Sequence, residues 1–221
     1  DTVLPAPTEA RRRHRRWWTM RRSAMAVFIL LSFFWLGPLA LLLVLTGRAA
    51  ASDILALMKE PGHITFMRHA WAPFEGAPKE RVSAETLGPC ETQRNLDDKG
   101  RSDARALGDK LRAAGVTFDI VYTSKWCRCR ETAELIMGRP VENLALINSY
   151  FTDPDKTRGP AQQAALKRYL NETLPPSARA LMVTHGSLIQ DLTGIFTDET
   201  EVVIVKSDRS GGVIVVGRGF P

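Results

Sequence analysis

The run His63-Ile64-Thr65-Phe66-Met67-Arg68-His69-Ala70 decides the fold. Its first five residues, 63–67, are rich in aromatic and β-branched types, which predicts a buried strand. An arginine and a histidine follow at once, where a strand of an α/β sheet delivers side chains to the mouth of the fold. Working outward, short apolar runs alternate with helical patterns. Helices are expected over 97–114, 127–137, 160–172 and 187–195, and strands over 120–123, 144–147 and 181–184. Residues 202–206 and 213–216 read as a closing hairpin around Ser210-Gly211-Gly212. A short helix over 53–59 precedes the first strand. Strands alternating with helices predict a three-layer α/β/α sandwich with a mostly parallel central sheet. The one long connection, 70–96, contains Trp71, Phe74, Cys90 and Arg94. A connection of that length in a compact domain is usually functional or disordered.

Upstream, the composition changes. Residues 1–22 hold seven arginines against Asp1 and Glu9, a net charge of +5 out of +6 for all 221 residues. The basicity therefore belongs to a tail and gives no reason to expect a nucleic-acid partner. Residues 23–47 carry no charge. At about 1.5 Å per residue, a helix of that length spans the roughly 30 Å hydrocarbon core. The run exceeds the h-region of a cleaved signal peptide, about 7–15 residues, which favours an uncleaved anchor. The expected organisation is a basic cytoplasmic tail (1–22), a transmembrane helix in the lipid bilayer (23–47), a linker (48–61) and a folded domain (62–221). Arginines on the N-terminal flank put that end in the cytoplasm and the domain in the periplasm or outside the cell.

Three strand ends carry the chemistry. Arg68-His69 follows the first strand, Ser124 to Ala133 with Arg128 follows the second, and His185-Gly186 follows the late strand at 181–184. Singly, a histidine after a strand is more often a packing residue than a catalyst. Two histidines and two arginines converging on one sheet mouth describe a phosphoryl site. A guanidinium fork matches phosphate oxygens, and a neutral imidazole is a competent nucleophile.

These segments resemble the histidine phosphatase superfamily, the relatives of cofactor-dependent phosphoglycerate mutase. Its Arg-His-Gly signature corresponds to Arg68-His69-Ala70, its Ser-x-x-x-Arg segment to Ser124–Arg128, and its second His-Gly to His185-Gly186. Its Leu-[Thr/Ser]-x-x-Gly helix start is echoed by Leu96-Asp97-Asp98-Lys99-Gly100. The resemblance implies that His69 becomes a phosphohistidine, with Arg68, Arg128 and a protonated His185 around the phosphoryl oxygens. It implies no cofactor and no metal. Arg94 is a candidate substrate contact.

Two departures stand out. Ala70 replaces a glycine, and neither of the family's general-acid positions carries an acid: Asn148 and Ser187 stand there. Asp153 is the nearest replacement, with an equal reading as a turn cap before Pro154. Among the thiols, Cys90 is expected to bridge to Cys127 or Cys129 in an oxidising compartment. The activity expected is phosphomonoester hydrolysis on a phosphorylated small molecule or glycan. The alternatives are a phosphoprotein phosphatase and a non-catalytic phosphate-binding domain.

Overall fold

The computed structural model describes residues 53–78, 83–151, 153, 155 and 157–221. The expected tail and transmembrane span lie outside the described residues, as does 48–52 of the linker. Among the described residues, no helix is long and apolar enough to cross a membrane.

The opening strand, β1 (Ile64–Arg68), is buried over its first four residues. The other strands are β2 (Ile120–Thr123), β3 (Glu142–Asn143), β4 (Ala180–Thr184), β5 (Val202–Ser207) and β6 (Val213–Gly219), in the spatial order β3-β2-β4-β1-β5-β6. The β3-β2-β4-β1 half is parallel, whereas β5 runs antiparallel to β1 and β6 antiparallel to β5. The sheet is therefore mixed, and the expected closing hairpin forms its antiparallel edge.

Alternation along the strands builds two cores. Met67, Leu181, Val183, Val202 and Ile204 face one side, where they join residues of α1 (Asp98–Ala113) and α2 (Cys127–Met137). Ile64, Phe66, Met182, Val203 and Val205 face the other, with α3 (Arg158–Arg168) and α4 (Gly186–Thr193). The period of two in the strands thus produces the α/β/α layering.

Local chemistry sets the ends. Asp97 caps α1 by accepting from Gly100 N at 2.8 Å. Gly138, at φ 66°, closes α2 in the left-handed conformation that a glycine takes without a Cβ clash. At Gly108 the two helices touch: a Cβ there would stand 2.5 Å from the Ile136 carbonyl oxygen.

Two expected elements differ. The strand foreseen over 144–147 is a 3-10 turn, Ala145–Ile147, and β3 lies just before it. Leu144 N still donates to the Thr123 carbonyl at 3.1 Å, but Ile147 N then turns back to the Leu144 carbonyl. That turn inserts Ile147 into the second core. The helix foreseen over 160–172 starts at Arg158 and widens into a π turn, Tyr169–Thr173, with Leu174 N bonded to the Tyr169 carbonyl at 2.9 Å. Pro175-Pro176 follow and cannot continue the donor ladder.

Candidate active site

The parallel register of β1 and β4 pairs Arg68 with Thr184, so His69 and His185 leave neighbouring strands side by side. His69 N donates to the Thr184 carbonyl at 3.0 Å, extending the ladder one residue past β1. The two rings meet edge-on, with centroids 5.6 Å apart. Both are buried and both line a cavity of about 470 Å³ together with Arg68, Arg94 and Arg128.

His69 Nδ1 lies 2.7 Å from the Ala70 carbonyl oxygen. A carbonyl only accepts, so Nδ1 carries the proton of the neutral ring and Nε2 keeps its lone pair. Burial pushes the His69 pKa well below the ordinary 6.5, and Arg128 pushes it further. The same two causes, burial first, hold His185 well below 6.5. These surroundings favour the neutral His185 ring. Ser124 Oγ sits 3.0 Å from His185 Nε2 and Cys129 Sγ 3.3 Å. Trp126 packs against the same ring edge-on.

Arg128 is buried on the first turn of α2, and its Nη1 donates to the Arg94 carbonyl at 3.2 Å. Arg94 donates to the Ala72 carbonyl, and its guanidinium lies 4.0 Å above the Phe74 ring. Arg68 donates to the Thr197 carbonyl and to Glu199, both at 2.6 Å. Its side chain crosses Gly186, where a Cβ would come within 3.2 Å of Arg68 Cδ. That close approach gives the glycine after the second histidine a physical purpose.

Asp153 stands apart from this group. It is buried, accepts from Asp155 N at 2.8 Å, and lies 3.6 Å from Arg158. It is not among the residues that line the cavity. The turn-cap reading describes its contacts, and no carboxylate occurs among the described lining residues. Cys90 is bonded to Cys127, which resolves the two expected pairings, and Cys129 stays buried beside His185.

Sequence reasoning missed several participants. Glu199 steadies Arg68 from 131 residues away, a separation that no local pattern reveals. Asn148 Oδ1 accepts from Lys125 N at 2.7 Å and so ties the 3-10 turn to the loop after β2. Phe151 and Phe196 line the cavity from two further loops. Ser124 stood in the quoted motif, but its contact with His185 was not foreseen.

Residues 64–147 match the family described as the histidine phosphatase superfamily (branch 1). The match supports the histidine phosphatase superfamily. The relatives agree with that histidine phosphatase assignment. A 2,3-bisphosphoglycerate-dependent phosphoglycerate mutase of Bradyrhizobium sp. strain BTAi1 is 26% identical over 164 residues, covering 56% of this chain and 79% of the relative. The mitochondrial serine/threonine-protein phosphatase Pgam5 of Drosophila virilis is 27% identical over 127 residues, covering 47% of this chain and 44% of that protein. Among solved structures, the protein histidine phosphatase SixA complexed with tungstate has a TM-score of 0.50 at 22% identity, over 72% of this chain and 97% of that one. A phosphoserine phosphatase mutant from Entamoeba histolytica in complex with phosphoserine has a TM-score of 0.52 at 15% identity, over 71% and 95%. At these identities the structural likeness is one of fold, and the fold is that of histidine phosphatases.

Proposed function

We propose that this chain is a phosphomonoester hydrolase that works through a phosphohistidine on His69. The observation that carries the reading is the contact between His69 Nδ1 and the Ala70 carbonyl, which leaves Nε2 as the ring's lone-pair donor. Burial keeps that ring neutral and therefore nucleophilic at pH 7.

In the first step Nε2 bonds to phosphorus and the ester P–O bond breaks. The leaving oxygen takes the electron pair and then a proton. In the second step water bonds to phosphorus and the P–N bond breaks, which releases phosphate and restores neutral His69. Arg128 and Arg94 supply positive charge at the cavity floor, and Arg68 adds to it from the Glu199 contact. His69 Nε2 faces phosphorus with its lone pair, so the proton that a bound phosphoryl dianion attracts falls to the second imidazole. His185 is the ring placed to take up that proton and to pass it to the leaving oxygen.

With no carboxylate among the described lining residues, turnover is expected to depend strongly on the leaving group. Aryl phosphates, whose phenolate departs with little protonation, should react far faster than alkyl phosphates. The proposed setting is a membrane-anchored domain outside the cytoplasm. The uncharged run 23–47, the arginine-rich flank and the Cys90–Cys127 bridge support that setting.

The decisive experiment is a rapid quench with p-nitrophenyl phosphate. An acid-labile, base-stable phosphate should appear on His69, and His69→Ala should lose both adduct and turnover. Full turnover in His69→Ala would remove the mechanism.

A further inference from the structure

The cavity has two kinds of wall. Its floor holds Arg68, His69, Arg94, Arg128 and His185, whereas its other described lining residues bear no charge. Three of them are phenylalanines from three separate loops: Phe74 after β1, Phe151 after the 3-10 turn, and Phe196 after α4. All three stand largely in the open, at 71%, 70% and 64% exposure. Large apolar side chains exposed together around a cleft mark a binding surface more often than chance exposure. Phe74 is also joined to the floor, because Arg94 lies over its ring. The polar groups beside them, Ser149, Ser187 and Gln190, are neutral.

Resting on the hydrolase reading above, we propose that the preferred substrate is a phosphomonoester whose leaving group carries an uncharged, apolar body next to the phosphate. The floor supplies charge complementary to the phosphoryl oxygens, and the phenylalanine rim supplies apolar surface to what lies beyond them. A substrate with a second anionic group, such as a carboxylate, finds no additional cation among the described lining residues. The five floor groups are committed to the phosphoryl end, and Arg94 already serves both Ala72 and Phe74. The rim thus sets a requirement different from that of a phosphoglycerate.

Binding and turnover test this separately. The 4-alkylbenzylphosphonates cannot be hydrolysed, so their affinity for the full chain, measured by calorimetry, reads the cavity alone. Each added methylene, from methyl to butyl, should tighten binding about two- to fourfold, the range for partial to full burial of a CH₂. Phe196→Ala should flatten that series while inhibition by orthovanadate, which probes the floor, stays within about twofold. Phe196 is exposed, so its truncation leaves the core intact. In the second arm, kcat/KM for 4-alkylphenyl phosphates should rise along the same series and exceed that for O-phosphotyrosine, a phenol of similar acidity with a charged tail. A flat phosphonate series, or equal preference for the charged tail, overturns the proposal. A rising phosphonate series without turnover would keep the proposed specificity and count against the hydrolase reading alone.

Discussion

His69 and His185 are the same residue type set at adjacent strand ends, and burial dominates the titration of both. The unfolded chain's imidazoles take up protons near pH 6.5, whereas the folded ones do so only well below it. As pH falls through 6.5 toward those lowered values, the unfolded state binds protons that the native state does not, so stability declines across that window. Above 6.5 the contribution is fully present. Urea midpoints should therefore drop between about pH 7.5 and 5.5, and a variant with both imidazoles replaced by glutamine should lose much of that slope. Turnover of an aryl phosphate should keep its His69-dependent step on the acid side of 6.5, because the nucleophile stays neutral there. Arg128 offers a second test. Its guanidinium is buried at the cavity floor, and loss of one well-placed oxyanion donor lowers kcat about 10²–10³-fold in a well-studied case. Arg128→Ala should fall in that range with kcat carrying most of the loss. A change confined to KM would assign Arg128 to ground-state binding.

The connection between β1 and α1 is held by chemistry at its far end. Cys90 is bonded to Cys127, Gln93 Oε1 accepts from Cys127 N at 2.9 Å, and Asn95 donates to the Cys90 carbonyl. These contacts fix Arg94 against the first turn of α2. Cross-links of this kind typically stabilise by about 2–4 kcal/mol. Reduction, or Cys90→Ser, should lower Tm and raise KM, read by a thermal melt and by steady-state kinetics with and without dithiothreitol. An unchanged Tm would show that the bridge adds nothing to the fold. Gly108→Ala is the matching test for the helical layer. The methyl group would gain up to about 1 kcal/mol in helix propensity but lose about 1–3 kcal/mol by crowding the Ile136 carbonyl, so a lower Tm is expected. Elements of this kind were largely legible in the sequence. The aromatic and β-branched run that opens the domain, the period of 3.6 in Asp98–Ala113 and the glycine after Met137 are local signals, and the structure follows them. The 3-10 turn at Ala145–Ile147 was not legible, because a four-residue apolar run reads the same whether it continues a ladder or folds back into a core. The two readings of Asp153 stood level in the sequence for a related reason. Spacing alone cannot distinguish a carboxylate aimed at a cleft from one aimed at Asp155 N and Arg158.

At the scale of the molecule, the charge pattern makes a statement about orientation. Seven arginines precede the uncharged run and none falls within it, so a reporter fused after Pro221 should be active only outside the cytoplasm. Cytoplasmic activity of that fusion would reverse the proposed topology. The site itself is assembled from the whole sheet: β1 gives His69, β4 gives His185, the helix after β2 gives Arg128, and the segment before β5 gives Glu199. The pairing of Arg68 with Thr184 carries a further consequence. A slip of one residue between these strands would turn every side chain to the opposite layer and part the two imidazoles. Catalysis is thereby a gauge of strand alignment. Loss of aryl-phosphate turnover and loss of sheet signal should coincide along a urea titration, and no half-assembled species should retain activity.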